Sequence, residues 1–125
     1  MEPQELADRL LAGDPAITLV DIRTPREFTQ FHIRSAVNTQ VKDLPTSLAP
    51  YKNQGLIVLY SNGMTHPAQA RDSLFRLGYG NVYFLTDGLE GFLKTCLKPV
   101  SLRPEPVSRA LASKINAWRA FFLAP

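Results

Sequence analysis

Two rhythms of apolar residues alternate along the chain. Leu6, Ala7, Leu10 and Leu11 recur at three- and four-residue spacing, with Pro3 near the front and Gly13 just past the end, which predicts a short amphipathic helix over residues 3–11. Ile17-Thr18-Leu19-Val20-Asp21 reads as a buried strand, and Pro25 restarts the chain as a short helix through Glu27, Phe28 and Phe31. Ala36-Val37-Asn38 is a weak, short strand. Val41, Leu44, Leu48 and Tyr51 have helical spacing, but Pro45 and Pro50 restrict that stretch to helical turns. The strongest strand is Leu56 to Tyr60, and the clearest helix covers residues 67–77 with Gly78 as its stop. A further strand at residues 82–85 and a helix at residues 88–95 complete the alternation. Parallel neighbours cannot be joined by a hairpin, so strands linked by helical crossovers predict a parallel sheet with helices on both faces, the α/β class.

Beyond residue 98 the rhythm changes. Pro99, Pro104 and Pro106 mark residues 99–106 as a proline-rich linker, which leaves residues 1–98 as the domain and residues 107–125 as an added element. In that element Val107, Leu111, Ile115, Trp118 and Phe122, supported by Ala110 and Phe121, form an apolar stripe, while Arg109, Lys114, Asn116 and Arg119 fall on other faces. An amphipathic helix with so many large apolar side chains needs a cover. The candidates are the domain's own flank, a second copy of the chain in a homodimer, or another protein or membrane surface. Few positive charges lie beside the stripe, which argues against a membrane.

Composition narrows the rest. A chain of 125 residues with 45% hydrophobic content suits one domain with a real core. It contains no apolar run of membrane-spanning length, and its first residues lack a signal-peptide pattern, so a soluble cytoplasmic protein is expected. A single cysteine, Cys96, cannot form an internal disulfide, and with only His32 and His66 beside it no metal set forms. Neither metal nor cofactor is expected. The net charge of +3 is uneven: residues 94–125 carry six positive side chains against Glu105 alone, so the remainder is −2. Those cations are spaced out, as on a solvated helix face, and nucleic-acid binding is not expected.

Candidate chemistry concentrates where the strongest strand meets the clearest helix, in "YSNGMTHPAQ", residues 60–69. Parallel α/β proteins place ligands at such carboxyl ends of strands. Ser61, Asn62 and His66 are the side chains with chemistry to offer. A hydrolytic role for Ser61 needs a base, an orienting acid and an oxyanion hole. His66 stands five residues on, neither Asp72 nor Asp87 has a sequence relation that makes it a partner, and no Gly-x-Ser-x-Gly surrounds the serine. A small loop residue bonding backbone is the better reading of Ser61.

Three stretches, in order, resemble the rhodanese (sulfurtransferase) family. They are "LVDIRTPREFTQFHIRSAVN" at residues 19–38, "LIVLYSNGMTHPAQARDSLFRLGYGNVYFL" at residues 56–85, and "DGLEGF" at residues 87–92. The resemblance implies a rhodanese-like parallel sheet and assigns Ser61 to the position of the family's catalytic cysteine, whose thiolate carries a sulfane sulfur as a persulfide. A thiol near ~8.5 can be tuned to ionise at neutral pH; an alcohol cannot, and an O–S bond is no stable carrier. Asn62 and His66 also stand where the family often places arginine. A phosphatase of the same fold is disfavoured for the same reason, since it needs the thiolate and a loop arginine. By the same resemblance Asp21 and Arg23 organise the loops at the strand ends, and His32 bonds within the fold. Cys96 is expected to be a packing residue.

What outlasts the loss of the thiol is the loop. Ser61, Asn62, Gly63, Met64, Thr65 and His66 are candidates for an anion-binding loop in which the amides of residues 62–66 curl around one point, because a helix amino end leaves N–H groups unpaired and adds a favourable dipole. Three function classes follow: a catalytically inactive binding or regulatory module in sulfur handling or within a larger protein, a sulfurtransferase whose cysteine was replaced by serine, and an interaction domain using its C-terminal helix.

Overall fold

The computed structural model describes residues 1–125. Its sheet has four strands, β1 (Ile17–Asp21), β2 (Val37–Asn38), β3 (Leu56–Tyr60) and β4 (Val82–Phe84). All neighbours are parallel, in the order β2-β1-β3-β4. The α-helices are α1 (Pro3–Leu11), α2 (Pro25–Gln30), α3 (Leu44–Ser47), α4 (Thr65–Arg76), α5 (Gly88–Phe92) and α6 (Arg109–Phe122). Asp21 lies level with Tyr60 in the register, so the carboxyl ends of β1 and β3 deliver their following residues side by side.

Alternation along the strands builds both faces of the sheet, since successive side chains point to opposite sides. Leu19, Val58 and Tyr60 join one cluster with Leu6, Leu10, Phe92 and Trp118, from α1, α5 and α6. Val20, Ile57 and Leu59 join the other with Leu44, Ala70 and Leu74, from α3 and α4. A sheet buried on both sides explains why these strands read as unbroken apolar runs.

The boundaries differ from expectation at three places. α4 begins at Thr65, two residues before Pro67, because proline is tolerated in a first turn whose N–H groups have no intrahelical partner. α5 is short and passes into a π-helical turn, Leu93–Leu97, instead of continuing as one helix. The proline-rich segment holds a 3₁₀ turn, Val100–Leu102, and is tied to the domain by the Arg103 guanidinium, which donates to the carbonyls of Thr95 (3.0 Å) and Lys98 (2.9 Å).

The stripe of α6 is covered by the chain's own flank. Ile115 and Trp118 are fully buried against α1 and the end of α5, and Phe122 meets Phe92 edge-on at 5.1 Å. Ser108 caps the helix by accepting from the Leu111 amide. Asp8 on α1 accepts from both Trp118 Nε1 (3.0 Å) and Lys114 Nζ (3.2 Å). Arg119 donates to the Leu97 carbonyl, and Arg34 lies over the Phe121 ring at 4.4 Å. No helix is long and apolar enough to cross a membrane.

Candidate functional site

Residues 61–64 leave the carboxyl end of β3 and reach α4, whose N-cap is Met64. Ser61 is half-buried, and Asn62, Gly63, Met64, Thr65 and His66 are exposed. The loop's two sets of backbone groups divide. The carbonyls of Ser61 and Asn62 accept from the amides of Leu89 (2.8 Å) and Glu90 (3.4 Å), whereas the amides of residues 62–66 donate to no protein acceptor. Unpaired donors at the amino end of a twelve-residue helix are the groups that hold anions.

Gly88 makes that division sterically feasible. A Cβ there would stand 2.5 Å from the Asn62 carbonyl oxygen and 2.6 Å from that of Gly63, and its φ of +61° is left-handed besides. Only glycine accepts both conditions. The segment 87–92 is therefore the shelf on which the loop rests.

A second support comes from β1 and α2. Asp21, fully buried, accepts from the Arg23 guanidinium at 2.8 Å and 3.1 Å and from the Arg23 amide at 2.8 Å. Arg23 also donates to the Phe31 carbonyl at 2.5 Å and to Asn62 Oδ1 at 3.4 Å. Asn62 in turn donates to the Glu27 carboxylate at 2.8 Å. Burial would lower the Arg23 pKa, but the hydrogen bond and charge of Asp21 outweigh it and hold it above its ordinary value. Bonds from Asn62 and then Thr24 hold the Glu27 carboxyl below the usual range. Asp21 and Arg23 thus organise the strand ends, and the side chain of Asn62 is fastened to them.

The remaining candidates fall elsewhere. His66 is exposed on the first turn of α4, and no hydrogen bond joins it to Ser61. Without a base in contact, Ser61 has the geometry of a loop residue. His32 Nδ1 donates to the Phe28 carbonyl (2.8 Å) while its ring stacks on Phe28 at 3.8 Å, a role inside the fold. Cys96 is fully buried within the π-helical turn, and burial pushes its thiol up to about 12. No cluster of three or more His, Cys, Asp or Glu could hold a metal. Glu27 and Gly88 were not singled out from the sequence as site residues; the only trace of them was their place inside the Pro-x-Glu-Phe and "DGLEGF" stretches.

The model of the rhodanese-like domain matches residues 2–95. The chain belongs to that family. Thiosulfate sulfurtransferase PspE of Escherichia coli is 30% identical over 66 residues, which span 50% of this chain and 62% of that protein. A sulfurtransferase of Allochromatium vinosum is 30% identical over 89 residues, 71% of this chain and 82% of that protein. Among solved structures, a crystal structure of a protein from Anabaena superposes with a TM-score of 0.69 at 23% identity. It covers 97% of this chain and 93% of that one, so the likeness of fold runs past the rhodanese-like stretch and takes in α6.

Proposed function

We propose that this rhodanese-like domain does not run a persulfide cycle and serves as a binding or regulatory module in sulfur handling, keeping a pocket for a small anion. The observation that carries the proposal is Ser61, a hydroxyl directly after β3 at the position where the family resemblance expects a thiol. A hydroxyl with no base in contact has no route to an alkoxide near neutral pH. The sole thiol in the chain, that of Cys96, is buried and held protonated.

Binding is the function such a site can retain. The free amides of residues 62–66 and the dipole of α4 favour a negative charge, and a protonated His66 would add to them. With no arginine or lysine in the loop, affinity for a simple anion is low. Purified protein given thiosulfate and cyanide is expected to form thiocyanate at the buffer rate. Turnover above that rate that disappears in Ser61→Ala would overturn the proposal. Titration with sulfate is expected to move the amide resonances of residues 62–66; no movement there removes the anion pocket.

A second reading, a sulfurtransferase whose cysteine was replaced by serine, draws support from the names of the two curated relatives. Ser61→Cys tests it directly. Gain of thiocyanate formation on that one change favours the second reading, and a reactive thiol without turnover favours the first.

A further inference from the structure

Beside the loop lies an open cleft of about 660 Å³, lined by Gly63 and Met64 of the loop and by Asp87, Glu90, Gly91, Lys94, Thr95 and Arg103. Four of these are charged, and none of the four takes part in any ion pair of the molecule. Glu90 and Lys94 have the spacing at which opposite charges on a helix commonly pair, yet they do not. The signs are also sorted. Asp87 and Glu90 stand at the loop end, where the Leu89 and Glu90 amides donate to the Ser61 and Asn62 carbonyls, and Lys94 and Arg103 stand at the far end, where Arg103 bonds the Thr95 and Lys98 carbonyls. Arg103 keeps its place through the carbonyls of Thr95 and Lys98, leaving Nη1 without a bond.

Such a cleft disfavours a compact dianion, which would sit against two carboxylates. It suits a molecule with a positive end and a negative end. Glu90 and Lys94 are four residues apart, about 6 Å along a helix axis. The ends of an extended dipeptide are about 7 Å apart, whereas a single amino acid carries both charges on one carbon. We infer that the cleft binds a dipolar organic ligand of dipeptide length, its ammonium toward Asp87 and Glu90 and its carboxylate toward Lys94 and Arg103. The inference deepens the binding function proposed for the loop, because Gly63 and Met64 form the wall between the two.

The test is a titration of the isotope-labelled full chain, followed through its amide resonances, with glycylglycine, N-acetylglycylglycine, glycylglycinamide and sulfate. Glycylglycine is expected to move Gly63, Gly91 and Thr95 saturably. Blocking either end, or substituting Glu90→Gln or Lys94→Gln, is expected to weaken it about two- to fivefold, the scale of exposed charge pairs. Sulfate is expected to move only residues 62–66, equally in both variants. Absence of cleft shifts with glycylglycine, or equal binding of the blocked forms, overturns the inference. If sulfate moves nothing while glycylglycine still docks, the anion loop fails and the cleft stands.

Discussion

At the scale of single residues, the molecule separates a reactive position from an inert one. Cys96 has the sulfur but sits in the core with its thiol raised to about 12, and Ser61, half-buried at the start of an exposed loop, has the place without the sulfur. In Ser61→Cys the new thiol stands at the start of the loop whose amides are unpaired, and such donors favour a thiolate within their reach. It is expected to react with iodoacetamide at neutral pH at least about tenfold faster than Cys96, read by peptide mass spectrometry; comparable rates would show that the loop amides stabilise no negative charge. The same burial has a pH consequence. The thiol of Cys96 and, through burial first, the phenol of Tyr60 are both raised above their ordinary values of 9.0 and 10.0 in the folded chain. The unfolded chain therefore releases these protons first, so the contribution of these two groups to stability is whole below about pH 9 and is lost from there upward. Urea midpoints from pH 8 to 11 should decline, and more gently in Cys96→Ala than in the parent once their values at pH 8 are aligned.

At the scale of elements, the loop between β3 and α4 is shaped by pieces distant in sequence. The strand, the loop and the helix after it were legible from the apolar run at residues 56–60 and the helical spacing beyond, as was the two-faced sheet. The start of α4 was not, because Pro67 marks a first turn without saying which of its positions it occupies. Nor was the bond from Asn62 to Glu27, which joins residues 35 apart, since a side-chain pairing at that separation leaves no periodic trace. Arg103 was hidden for a related reason: a guanidinium bonded to carbonyls asks for no complementary residue type. Gly88 is the clearest test of the shelf. Alanine there meets both a left-handed φ, which disfavours a Cβ by about 1–2 kcal/mol, and two loop carbonyls closer than any Cβ can stand. Gly88→Ala is expected to lower the melting temperature and to shift the amide resonances of residues 61–64, while Gly13→Ala, with open space around its Cβ, leaves the loop signals in place. Loop resonances unchanged in Gly88→Ala would show that the shelf does not set the loop.

At the scale of the whole molecule, α6 is part of the core. Deleting residues 107–125 uncovers Leu6, Leu10, Phe92 and Cys96 and removes Ile115, Trp118 and Phe122, so losses of about 1.5–3 kcal/mol for each large buried side chain accumulate. Against a typical domain stability of about 5–15 kcal/mol, three such losses are severe. The truncated chain is expected to be less soluble and to unfold without a cooperative transition, monitored by circular dichroism. A fragment that keeps its melting temperature and solubility would show that the apolar flank is stable without its cover.

The bond between Asp8 and Trp118 joins residues 110 apart, nearly the ends of the chain. On a ribosome that adds about 5–20 residues each second, α1 emerges several seconds before α6, its partner in this bond. During that wait Leu6 and Leu10 can pack on Leu19, Val58 and Phe92, but the places that Ile115, Trp118 and Phe122 fill stay open. That flank is thus closed only once Ile115, Trp118 and Phe122 have joined it, which makes α1 and α6 one cooperative unit in spite of their separation along the chain.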